Sequence, residues 1–376
     1  MHRMVVPTLL RTWRLPLAAA CLFGASAAPA ADSGRLGFVV TTWNTAIYES
    51  RFMDECPEGL NPGNDEFWWR GLNKDDRGRL TQNGMVTQVE RQGYALVRGP
   101  KGENVCQMPE AITDPTLLTI EGPVSYGVNL DGTQDGRATA KSCAHQKFEG
   151  LDGTPGVDNQ MYRLLGCTYG WRNYGNIEMN ANGQRKTNGL GMILIEVTGV
   201  DDPRNDNDVR VTFYRSIDQF VLDSAANALP FNTYRIDVVN GVPRYGSVVK
   251  GKTANGVLTT EAADVRLPFY GNYTLLDQNI RDLSLRLEIE PDGAHAKGMV
   301  SGYYDVDQLW DYLSGLGFAA TAQYSCPPLH EAAYRLADGY PDPKTGKCTA
   351  LSSAFVINTV AAFIDHPPNE KVANAR

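Results

Sequence analysis

The chain has 376 residues, with 35 basic and 43 acidic side chains, a formal charge of −8, and 42% apolar against 21% charged residues. That balance belongs to a globular protein, and the length allows one large or two modest domains. The acidic excess excludes nucleic acid and anionic lipid as natural partners, because both repel it.

The chain opens with Arg3, Arg11 and Arg14, an apolar run from Leu15 to Ala28, and Ala28-Pro29-Ala30-Ala31. A basic start, a short apolar core and a small-residue cleavage site predict a signal peptide over 1–31 and a periplasmic or extracellular destination. The run is too short to span a bilayer, and no later stretch reaches the ~20 apolar residues a transmembrane helix needs. Removal takes three arginines with it, moving the formal charge from −8 to −11. Cys21 leaves too. Cys56, Cys106, Cys143, Cys167, Cys326 and Cys348 remain, an even set suited to disulfides in an oxidising compartment. The shortest closures pair Cys56 with Cys106, Cys143 with Cys167, and Cys326 with Cys348.

Residues 32–140 read as an irregular or α+β region. Pro62 to Leu72 has helical character, with Asn61 or Asn64 available as the cap and Phe67, Trp68 and Trp69 as an apolar patch. Polar loops follow. Asn129, Asp131, Thr133 and Asp135 stand at alternate positions around a glycine turn, and Asp152, Asp158 and Asn159 lie in a second such loop. Calcium takes six to eight oxygens, and alternating Asp and Asn in a curled loop converge them, so Asn129, Asp131, Asp135, Asp152, Asp158 and Asn159 are the expected calcium ligands. The same residues also build plain turns. A third acidic loop spans 201–208.

Tyr169, Trp171 and Tyr174 sit among Gly and Asn just after Cys167, the composition of a sugar-binding platform in which rings pack on a pyranose face. Aromatics also fill cores, which is the competing use. Between 141 and 325 lie seven segments of strand character: 193–198, 209–214, 234–239, 257–260, 265–270, 283–290 and 297–304. The clearest of them alternate apolar with polar residues, and Asp-Gly and Asn-Gly pairs recur along the chain as tight-turn signals. This predicts a mainly β protein with an antiparallel β-sandwich or jelly-roll-like core. From 326 to 376, two stretches of helical spacing around a Pro/Gly turn predict a helical hairpin stapled by Cys326 and Cys348.

Enzyme signatures fail. There is no Gly-x-Ser-x-Gly elbow. His330-Glu331 meets Tyr334 where a zincin needs its second histidine. No Cys-x-x-Cys-His run exists for covalent haem, and neither haem nor a nucleotide is expected. The reading is an exported, disulfide-stabilised, calcium-binding and non-catalytic protein that binds a glycan, an envelope component or an exported protein. The alternative is a secreted hydrolase of polysaccharides or esters with paired carboxylates on the sandwich face.

Overall fold

The computed structural model describes residues 34–82, 88–271, 274–315 and 323–368. The expected signal peptide lies outside them. Eight strands carry the fold: β1 (Arg35–Thr45), β2 (Ile193–Thr198), β3 (Asp206–Arg215), β4 (Ser247–Ala254), β5 (Val257–Thr260), β6 (Thr274–Ile289), β7 (His295–Asp305) and β8 (Cys348–Asp365). Each pairs antiparallel with the next, and β8 also pairs with β1, from Phe38↔Ala361 to Thr45↔Phe355. The sheet therefore closes on itself as an eight-stranded barrel. Three further strands lie alongside, Ala263–Gly271 on β6 and Asn232–Arg235 and Gly339–Pro341 on β8.

The mainly β expectation stands, but one closed sheet replaces the sandwich of two. Alternation is common to both architectures, because each has one inward and one outward face. What separates them here is the pairing of the two chain ends, which no local pattern reports. At eight strands a barrel interior is just wide enough to be filled by side chains. Phe38, Val40, Ile195, Phe213, Leu285 and Ile357 fill it as part of one apolar core. A second cluster, with Val39, Leu194, Tyr234 and Val360, covers the outside of β1, β2 and β8.

The expected C-terminal hairpin is half right. Its first helix exists, but Ala354, Val356, Ile357, Val360 and Ile364 belong to β8. Apolar residues occur on both faces of this central strand, so the run looks continuous, and a continuous run also satisfies helical spacing. The β-branched residues Val356, Ile357, Thr359 and Val360 favour the strand.

Seven helices are described: α1 (Asn64–Gly71), α2 (Lys74–Gln82), α3 (Gln88–Leu96), α4 (Gln160–Leu165), α5 (Ile177–Asn188), α6 (Val306–Leu313) and α7 (Cys326–Leu336). Leu164, Leu309, Leu313 and Leu329, from α4, α6 and α7, join the core at the end where β7 passes into α6. Helix α1 starts at the expected place, but Gly63 precedes it as the cap. Both asparagines are used elsewhere. Asn61 donates to the carbonyls of Leu118 and Cys167, while Asn64 accepts from Arg98 and Ser325.

The disulfides are Cys56–Cys167, Cys106–Cys326 and Cys143–Cys348, so all three sequential pairings are corrected. Local closure is the wrong guide because the long insertion between β1 and β2 folds back on the barrel end, beside α7 and the start of β8. The bridges span 111, 220 and 205 residues, and in the chain-entropy account loops of that size stabilise by about 5 kcal/mol each. Peptide mapping without reductant is expected to recover these three pairs, and replacing Cys106 and Cys326 together by serine to cost about 2–5 kcal/mol in chemical denaturation.

Candidate functional site

The expected calcium loops supply a buried charge network. Asp131 and Asp158 converge, and Lys147 Nζ stands between them at 2.6 Å and 2.5 Å. Asp131 Oδ1 also accepts from the Thr133 amide and hydroxyl, and Oδ2 from Ser142 at 2.9 Å. Asp158 Oδ1 accepts from His145 Nε2 at 2.7 Å and Oδ2 from the Leu130 amide at 2.8 Å. The other expected ligands do not join them. Asn129 ties its own turn through Gly132 and Thr133, and Asp152 accepts from Thr154 in an exposed turn. Asp135 pairs with Arg137 at 3.8 Å in solvent, while Asn159 caps α4.

Asp338, from beyond the loops, completes the network 3.5 Å from His145. Burial alone would raise the Asp131 carboxyl, yet the bonds from Lys147, Thr133 and Ser142 hold it at about 2. Burial would likewise lower His145. The Asp158 bond and the Asp338 charge outweigh it and raise the imidazole, which has an oxygen partner on each nitrogen. At Asp338 burial wins against the charge of His145, and its pKa is pushed up to about 6.

The aromatic segment does not present one face. Tyr174 is 88% exposed and Tyr169 39%, while Trp171 is buried. Trp171 lines an internal cavity with Trp43, Tyr304, Tyr312, Gln278 and Glu178.

The open site lies at the opposite end of the barrel, at its seam. Beyond Phe38↔Ala361 no ladder joins β1 to β8. β1 continues to Arg35 beside β2, and β8 to Asp365 beside Asn232–Arg235, so the two strands fork. The Gly34 carbonyl accepts from Val200 on the β2 side, and Ala361 bonds Phe231 and Ala294 on the far side of β8. Alternate residues of a strand face opposite neighbours, so the main-chain groups of Arg35, Gly37, Ala362 and Ile364 face the fork. At its apex a Cβ on Gly37 would fall 2.3 Å from the Ala362 carbonyl oxygen, so only glycine fits there.

A groove of about 330 Å³ fills the fork, with Leu36, Phe231, Phe363, Pro203 and Pro291 as apolar lining and Arg35, Glu196 and Asp292 as charged lining. Glu196 is buried and accepts from His366 at 3.0 Å. Phe231 holds φ at 60°, a left-handed conformation that is a genuine outlier for a bulky residue. The residue is 37% exposed, and its ring lies 6.5 Å from that of Phe363. No sequence signal marks these residues, because the groove is made by the parting of strands far apart in the chain.

No family model matches the chain, and no curated protein or solved structure matches it significantly. Fold and groove by themselves define a disulfide-stapled antiparallel barrel. Among the described residues no helix is long and apolar enough to cross a membrane.

Lys147→Met would leave buried Asp131 without its cation and Asp158 with His145 alone, and is expected to cost about 3–5 kcal/mol in denaturant unfolding. Asp338 has a raised folded pKa, so its contribution is fully present below the usual aspartate range and is lost as pH rises through about 6. Asp338→Asn should therefore gain melting temperature relative to wild type between about pH 4 and about pH 7. At the groove, Phe231→Gly should be more stable than Phe231→Ala by about 1 kcal/mol, since glycine alone relieves the left-handed strain.

Proposed function

We propose that this is an exported, disulfide-stabilised, non-catalytic binding protein that takes an apolar group of an envelope component or exported partner into the seam groove. The observation that carries the reading is Phe231. A half-exposed aromatic held in a costly backbone conformation, facing a groove of about 330 Å³, is a feature that stability alone does not select. The three disulfides support an oxidising compartment. A glycan would use the same ring faces, Phe231 and Phe363, in preference to Tyr169 and Tyr174, which lie apart from any shared cleft with Trp171. The reading does not draw on calcium, because Lys147 stands between Asp131 and Asp158 and supplies a positive charge there.

The second reading, hydrolysis by paired carboxylates, draws on Glu196 and Asp292, which line the same groove. A photo-reactive phenylalanine analogue placed at position 231, and separately at 174, tests both readings in the exporting cell. Adducts at 231 and none at 174 are expected. Adducts at 174 alone would overturn the groove as the site, and substrate turnover lost in Glu196→Gln or Asp292→Asn would replace binding by hydrolysis.

A further inference from the structure

The seam groove is bounded by main chain as well as by side chains. On β1 the Gly34 carbonyl is turned to β2, so by alternation the amide and carbonyl of Arg35 face the fork. On β8, Ala361 bonds Phe231 and Ala294, and Asp365 bonds Ile236, all on the far side, so the amide and carbonyl of Ile364 face the fork from there. The β1–β8 ladder ends at Phe38↔Ala361, and among the described residues no turn or loop bond reaches the main chain of Arg35 or Ile364. An unpaired strand edge is a template for another strand. Both edges are held extended by their outer neighbours, Thr198 opposite Arg35 and Tyr234 opposite Ile364. The template is therefore formed in advance, and pairing on it costs little ordering of the protein.

The edge of β1 is short and closed at one end. From Arg35 to Gly37 it runs for about 10 Å at the rise of a strand. At Gly37 the Ala362 carbonyl crowds the main chain, so nothing can run through, and an added strand has to enter by its end. Charge selects which end. The lining carries two carboxylates, Glu196 and Asp292, against one guanidinium, Arg35. Glu196 stands opposite Gly37 in the β1–β2 register, which puts it beside the closed apex. An α-ammonium is drawn there and an α-carboxylate is repelled. Topology gives the same direction independently. A strand with its amino end at Gly37 runs antiparallel to β1, as β8 does along the closed part of the seam.

We propose that the groove receives the free amino end of an extended polypeptide, which adds to β1 as a strand in the place that β8 leaves. The inference rests on the groove reading above and narrows its partner to a protein chain. The first residue lies opposite Gly37, the second opposite Leu36, and the third opposite Arg35, with which it exchanges main-chain hydrogen bonds. Directly opposed residues share a face of the sheet, so the second side chain joins Leu36 in the apolar lining with Phe231 and Phe363. That residue is apolar.

The test uses the oxidised full-length protein and bead-bound peptides with free amino ends and their first three residues randomised. Selection should enrich an apolar second residue. The same library N-acetylated, and a matching one presented by its carboxyl ends, should not enrich. The selected peptide, made in solution, should lose about tenfold in affinity when the amide of its third residue is N-methylated, because one main-chain bond goes and its acceptor is left unpaired. Arg35→Pro removes the opposing N–H and should cost a similar factor, while Arg35→Ala keeps it and should not weaken binding. No enrichment, enrichment of carboxyl ends alone, or an affinity unchanged by N-methylation would each overturn the proposal. The N-methylated peptide on wild type decides the matter even where Arg35→Pro fails to fold. Failure of the selection with photo-adducts at position 231 retained would overturn the added strand alone, whereas loss of the adducts would overturn the groove reading with it.

Discussion

The pairing of β1 with β8 is the constraint on which the rest depends. A sheet of this length with free ends would leave two long rows of unpaired backbone groups and an apolar face that nothing covers. Joining Phe38–Thr45 to Phe355–Ala361 removes the free edge of most of β1 and of the middle of β8, and turns the inward faces into one core. It also brings the first and last strands of the chain together, so the barrel is complete only after β8 is in place. Where the pairing stops, the groove begins. The groove and the seam are thus one feature, with Phe231 in its left-handed conformation on the lining.

The other end of the barrel is held differently. There the insertion between β1 and β2 is fixed by Cys56–Cys167 and Cys143–Cys348, and by a charge network in which Lys147 and His145 meet Asp131, Asp158 and Asp338. Buried ion pairs are weak evidence for net stability, because desolvation offsets much of the attraction. Their directional bonds do fix a register. Asp338 accepts from the Ser352 amide of β8, while His145 and Lys147 come from the insertion, so the network joins the two in one arrangement. The disulfide between Cys143 and Cys348 sits at the same junction.

How much of this was legible in the sequence follows from what local patterns encode. β2, β3, β6 and β7 alternate apolar with polar residues over at least part of their length, and the sequence places them correctly. β8 does not alternate, because residues such as Ala354, Phe355, Val360 and Ala361 are buried on both faces, and it mimics a helix. β1 is a short apolar run of the same kind and left no separable signal. The sequence placed Asp131 and Asp158 in two separate polar loops, but no spacing reports that these two meet or that Lys147 stands between them, since a lysine has no position-specific signature. Phe231 could not be found at all, because the groove it lines is a fork between strands more than three hundred residues apart in the chain.

Native-state hydrogen exchange on the oxidised protein tests closure most directly. If β1 and β8 close the barrel, the amides of Val39 and Val360, an opposed pair in their ladder, should exchange together in the slowest class, through global unfolding alone. Exchange of Val39 in a separate, much faster class, with β2 to β7 still protected, would mean an open sheet. Such a sheet has no seam, and the groove at its fork would not be a site.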